Sequence, residues 1–208
     1  ADGCRSREVR GVGGNVSLYN ASPAGPIPPT PTLAMIGTKS GFDAPRMHVE
    51  GSGTLLLVGG HSDRVGGSEY LAQAGGSDEF PVVTDDPAPR IEAIADVANL
   101  DSTRSVHDVS DGGLAVTLAE MVSANGGIEA SVPDQLALFS EAPGRIVVET
   151  EDPDAVEAAV EESTPVVELG STAQTDSLAI EVEESGETIS YSASDILERR
   201  SVIEETLD

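Results

Sequence analysis

Lysine is almost missing from this chain: Lys39 is the single one among 208 residues, and 11 basic residues in all stand against 37 acidic ones. That balance argues against direct nucleic-acid binding, because contacts to phosphate are made by Lys and Arg. Tryptophan is absent and aromatic residues make up only 3%. Cys4 is the one cysteine, so no intrachain disulfide can form, which is compatible with a reducing compartment. No apolar run approaches the ~18 residues of a membrane-spanning helix, and no secretory leader is recognisable, so a cytoplasmic protein is expected.

What is present is acid and periodicity. The formal charge is −26, and residues 151–208 alone hold 17 acidic and 2 basic residues. Sparse aromatics and high charge are features of disordered chains. Here 38% hydrophobic residues fall in periodic segments, so a folded domain is expected. A dense carboxylate surface keeps a protein soluble where molar salt shortens electrostatic screening to about 3 Å. The composition therefore predicts adaptation to high salt.

Residues 23–31 carry five prolines and are expected to be extended. Short buried strands are expected at 32–36 and 54–58, with a domain boundary near residue 45. Helices are expected at 86–98 (capped by Asp86, burying Ile91, Ile94 and Val97), 112–124, 152–163 and from Asp195 onward, the last burying Ile196, Ile203 and Leu207. Further strands are expected at 105–109, 144–150, 165–170, 177–184 and 188–192, the last two joined as a hairpin by Ser185-Gly186-Glu187. Helices mixed with hairpin-linked strands give an α+β fold, with helices packed on a mixed sheet.

Four motifs stand out. Gly13-Gly14-Asn15-Val16-Ser17-Leu18-Tyr19-Asn20 has glycines that admit a ligand close to the backbone, and Asn15 offers a neutral oxygen suited to magnesium. Its plainer reading is a turn. His107-Asp108-Val109-Ser110-Asp111-Gly112-Gly113-Leu114 is a strand running into a helix start. Ser110 or Asp111 could cap that helix, and its free N–H groups could attract an anion. The plainer reading is a structural cap beside a buried His107–Asp108 pair. Gly66-Gly67-Ser68-Glu69-Tyr70-Leu71 reads as a glycine turn entering a short helix capped by Ser68. The fourth is Ser140-Glu141-Ala142-Pro143-Gly144-Arg145. His48, His61 and His107 do not fall at metal-ligand spacing, and no G-x-x-x-x-G-K-[ST] phosphate loop is present.

Taken together, G-G-N-V-S-L-Y-N followed by I-P-P-T-P, H-D-V-S-D-G-G-L and G-G-S-E-Y-L resemble the second half of PurL-type phosphoribosylformylglycinamidine synthases. Of the two rival readings, another ATP-dependent enzyme of the aminoimidazole ribonucleotide synthetase and selenophosphate synthetase superfamily lacks the G-G-S-E-Y-L and S-L-Y-N runs. The other rival is a non-catalytic acidic binding or assembly module. The resemblance implies that residues 1–45 end a PurM N-terminal-like, ATP-binding domain and that 46–208 form a layered PurM C-terminal-like domain. It implies ATP and Mg2+ as cofactors, with Gly14 at ATP, Asn15 at the metal and Ser17 at the substrate. It implies as partners the missing N-terminal half, a glutaminase subunit and a small bridging subunit. The family's catalytic histidine and acidic magnesium ligands would lie upstream, so the chain alone is expected to be inactive. The first-half counterpart of the fourth motif reads S-E-S-Q-E-R and touches substrate. Ala142, Pro143 and Gly144 depart from it, which implies a pseudo-site without turnover. Arg10 also stands where the family has an apolar residue.

Overall fold

The computed structural model describes residues 21–23, 25–26, 34, 36, 38, 40–41, 44–83, 86–160 and 164–201. The chain divides into two units, Ala1–Asp43 and Ala44–Asp208. In the first, β1 (Ala21–Ser22) pairs antiparallel with β2 (Gly25–Pro26). The signature loop with Gly14, Asn15 and Ser17 lies outside the described residues, as does most of the strand expected at 32–36.

The second unit contains β3 (Thr54–Val58), α1 (Glu69–Ala74), α2 (Ala88–Ala98), β4 (Thr103–Asp108), α3 (Gly113–Met121), β5 (Gly127–Val132) and α4 (Gln135–Phe139). It continues with β6 (Ile146–Thr150), α5 (Pro153–Ala159), β7 (Val166–Ala173), β8 (Ser177–Val182), β9 (Glu187–Ser192) and α6 (Ala193–Arg200). The seven strands form one mixed sheet in the order β4-β6-β3-β7-β5-β8-β9. All neighbours are antiparallel except β5 and β8, which run parallel. The fold is α+β.

Strand alternation divides the core between the sheet's two faces. Leu55 and Leu57 of β3 join Val147, Leu169, Ile128 and Ile180 on one face, covered by Leu114, Leu118 and Met121 of α3, Leu138 of α4 and Ile196 of α6. Leu56 and Val58 point the other way, toward Val148, Val97 of α2 and Val156 of α5. β3 is therefore apolar at successive positions because both its faces are covered. At β7 the register slips between Leu55 and Leu56, a bulge that leaves Leu169 as the extra residue.

Several helix starts use side-chain caps. Asp152 accepts the N–H of Ala155, Ser68 that of Leu71 and Asp134 that of Ala137. Ser192 and Asp195 form a reciprocal capping box on α6, so that helix begins two residues before the Asp195 expected from the sequence. The Asp86 carboxylate accepts from Ala88 at the start of α2, but the cap position is Pro87, which carries no side-chain cap hydrogen bond, rather than Asp86. Ile91 does not turn inward, however: it is about half exposed, and Ala93 and Val97 are the buried residues of that helix. Ile203 and Leu207 fall outside the described residues.

A buried carboxylate, Glu149 on β6, holds the chain where it enters β3. It is fully buried and accepts the backbone N–H groups of Glu50, Gly51 and Ser52 at 2.7, 2.9 and 3.2 Å. The Thr172 hydroxyl donates to it at 2.6 Å and that of Ser105 at 3.3 Å. Five donors converge on two oxygens, which offsets the cost of taking a carboxylate out of water.

Candidate functional site

Three of the sequence motifs meet at the Glu141 side chain. Glu141 follows α4, and its Oε1 accepts the N–H of Gly112 at 2.7 Å and the N–H of Glu69 at 2.9 Å. One carboxylate thus sits at the start of both α3 and α1, satisfying donors those helices leave unpaired. The G-G-S-E-Y-L run is fixed to the same place by the Tyr70 ring, which stacks on Phe139 with centroids 5.1 Å apart. Ser140 is buried, and its hydroxyl donates to the Arg64 carbonyl at 2.7 Å.

This arrangement changes the reading of the H-D-V-S-D-G-G loop. Neither Ser110 nor Asp111 caps α3. The cap position is Gly112, in the left-handed region at φ 81°, with no side-chain hydrogen bond. The Ser110 hydroxyl is turned instead to the Asp108 carboxylate. Asp111 is exposed. Gly113 lies so close to the 138–140 backbone that a Cβ there would come within 2.7 Å of the Ser140 carbonyl oxygen. Its N–H goes to the Ser110 carbonyl at 2.9 Å. The helix start, whose free N–H groups could attract an anion, takes its counter-charge from the chain itself, Glu141.

His107 and Asp108 are not the buried pair that the motif suggested. The Asp108 side chain is exposed, whereas His107 is nearly buried and directs Nε2 at Glu120 Oε2, 3.3 Å away. Arg200 on α6 reaches the other Glu120 oxygen at 3.0 Å. His107 Nδ1 lies 2.8 Å from the carbonyl oxygen of Asp108. Among the described residues no group of three or more His, Cys, Asp or Glu side chains is placed to hold a metal ion. No helix among them is long and apolar enough to cross a membrane.

Beyond Ser140 lies a cleft of about 250 Å³ that the sequence did not reveal, lined among others by His61, Asp63, Arg64, Arg90 and Arg145. Arg145 is buried, with 3% of its surface exposed. Its Nε donates to the Ala142 carbonyl at 2.9 Å and its Nη2 to the Ser140 carbonyl. Burial lowers its pKa to about 10, so it remains a cation at neutral pH. His61 is held below its ordinary value by burial first and by the Arg145 charge second, against opposing pulls from Asp134 and Glu183. The one sequence signal for this cleft was charge scarcity. Three of only 11 basic residues converge there from positions 64, 90 and 145.

Residues 51–183 match the family described as AIR synthase related protein, C-terminal domain. The chain belongs to this family. Over its whole length it is similar to subunit PurL of phosphoribosylformylglycinamidine synthase from Natronomonas pharaonis, at 57% identity, and from Halobacterium salinarum, at 50%. The chain spans about 30% of the length of these curated relatives. In fold it is similar to Thermotoga maritima PurL complexed with FGAR, at a TM-score of 0.53 and 18% identity, covering 73% of this chain and 29% of that one. The same protein complexed with ATP gives a TM-score of 0.52 at 14% identity, covering 73% and 26%.

Proposed function

We infer that the chain is the C-terminal part of a PurL-type synthase, which converts formylglycinamide ribonucleotide, ATP and ammonia to formylglycinamidine ribonucleotide in purine biosynthesis. The observation that carries this reading is 57% identity to a PurL subunit along the full 208 residues. In this reading residues 1–45 close the second ATP-binding domain and 46–208 form the second C-terminal domain. The enzyme works in the cytoplasm, and its ammonia comes from a glutaminase subunit held through a small bridging subunit.

The signature loop is the part of the chain that would reach the productive site. Gly14 would let the nucleotide phosphates approach the backbone, Asn15 would offer its side-chain oxygen to Mg2+ and Ser17 would hydrogen-bond the substrate. The metal supplies charge neutralisation during phosphoryl transfer. The remainder of the chain is scaffold, which fits the consumption of Glu141, Ser140 and the α3 start by internal hydrogen bonds.

The test compares this chain alone with a full-length PurL polypeptide carrying it. ADP release dependent on substrate and ammonia is expected from the full-length protein and not from the chain by itself. Release from the isolated chain would overturn the assignment of the catalytic residues to the upstream half. In the full-length protein, Asn15→Ala should raise the magnesium requirement and lower turnover, whereas Ser17→Ala should act mainly on the substrate KM. Wild-type magnesium dependence in Asn15→Ala would remove Asn15 from the metal.

A further inference from the structure

We propose that the cleft between the end of β3 and the start of β6 is an anion site that takes inorganic phosphate or the phosphate group of a phosphate monoester. Its lining residues are other than Gly14, Asn15 and Ser17, and it does not rest on the roles assigned to them.

The first ground is an unpaired buried cation. Among the described residues the Arg145 guanidinium donates only to the carbonyl oxygens of Ala142 and Ser140 and takes part in no ion pair. Its Nη1 is buried with no hydrogen-bond partner. A buried charge lacking a counter-charge is costly, and an oxyanion with several lone pairs is the group that would satisfy it. A second orphan belongs to another residue of the lining: His61 Nδ1 is also buried without a partner. In the tautomer with hydrogen on Nδ1 it can donate to the same anion.

The second ground is how the cations are seated. A Cβ on Gly59 would come within 2.7 Å of Arg145 Cγ, and one on Gly144 within 2.8 Å of Arg90 Cδ. The two glycines thus leave room for the arginine stems to lie along the backbone at the cleft. Gly144, one of the three residues that depart from the first-half motif, also lies in the left-handed region at φ 75°, which itself favours glycine. No ion pair among the described residues involves Arg90, while Arg64 is partly neutralised by Glu79 at 3.2 Å. The Asp63 side chain also lines the cleft and opposes an anion. Asp134 and Glu183 also act on His61, so among the described residues the cations left without a counter-charge beside the cleft are Arg145 and Arg90.

Size limits the ligand. Drug-sized and cofactor pockets begin at about 300 Å³. The ~250 Å³ cleft suits a phosphate group with a short attached moiety rather than a whole nucleotide. Guanidinium forks match phosphate oxygens, and such charge-assisted bonds are about twice as strong as neutral ones.

The probe is radiolabelled inorganic phosphate, measured by equilibrium dialysis against the full-length protein in molar potassium chloride. Submillimolar phosphate avoids its general salting effect on stability. One phosphate per chain is expected at this cleft, retained in Asn15→Ala. Its affinity should fall about tenfold in Arg90→Met and again in His61→Asn, the effect of losing one charge-assisted hydrogen bond. Arg145→Met should abolish it. If that variant does not fold, Arg90→Met and His61→Asn carry the test alone. Undiminished phosphate binding in both, or binding lost in Asn15→Ala and kept in Arg90→Met, would overturn the proposal.

Discussion

Glu141 Oε1 lies 2.7 Å from the backbone nitrogen of Gly112, twenty-nine residues earlier in the chain. The same oxygen takes the Glu69 N–H. A side chain from one motif therefore terminates the donors of two others, and the stability of this corner should depend on Glu141 rather than on the acidic residue in the glycine turn. Glu141→Ala should destabilise the folded protein by about 2 kcal/mol, the range for hydrogen bonds to a charged acceptor, with Glu141→Gln milder. Asp111→Ala should stay within roughly 0.5 kcal/mol of wild type, as an exposed residue outside any cap does. Thermal melting of the three variants in molar salt is the check, and equal losses in Glu141→Ala and Asp111→Ala would contradict the geometry.

Glu149 should be less forgiving. Replacing it with Ala would leave the N–H groups of Glu50, Gly51 and Ser52 without their acceptor, that of Gly51 in a buried position. A loss of about 3 kcal/mol or more is expected. Hydrogen exchange should then speed up at residues 50–52 and at Thr172, which shares the same carboxylate. Protection at those amides equal to wild type would show that the loop is held by something else.

Salt should stabilise this protein. With a net charge of −26, self-repulsion acts across a screening length of about 30 Å at 0.01 M salt and about 3 Å at 1 M. The melting midpoint should therefore be higher in molar potassium chloride than in dilute buffer. A midpoint equal or higher in dilute buffer would remove the high-salt reading, which agrees with the similarity to PurL subunits of Natronomonas pharaonis and Halobacterium salinarum.

His61 gives the pH dependence a sign. Its folded pKa is lowered from 6.5, by burial first and by Arg145 second. The unfolded chain therefore takes up the proton before the folded one does. The stabilising contribution is fully present above about pH 6.5 and is lost as pH falls through the folded value. A denaturation series from pH 7.5 to 5 should show a shallower decline in His61→Asn than in wild type. An NMR titration midpoint for His61 at or above 6.5 would contradict the direction.

Legibility differed by the kind of signal. Strand 54–58 could be read to the residue because both faces of β3 are covered, which makes it a short continuous apolar run. The α5 start was legible through Asp152-Pro153, a local cap that needs no tertiary partner. β5 was missed, since Gly127–Val132 begins with glycine and carries Glu129, with no run long enough to stand out. The parallel pairing of β5 with β8 rests on contacts about fifty residues apart and has no local trace. For the loop at 107–113, the sequence located the helix start but not its counter-ion. Glu141 had first to be brought there by α4, an element too short for helical periodicity to reveal. The same holds for His61, Arg90 and Arg145, which are distant in sequence and adjacent only in the fold.

The central place of β3 has a consequence for how the polypeptide is made. Both its neighbours, β6 and β7, come later, and Leu57 pairs with Val147 and Val167. At roughly 5–20 residues per second, the Leu55-Leu56-Leu57-Val58 segment leaves the ribosome on the order of ten seconds before its first partner strand. During that interval an unpaired apolar strand is open to any passing edge. The nascent chain then depends on the repulsion among its own carboxylates, and on whatever holds emerging chains, to keep that strand solitary until β6 arrives.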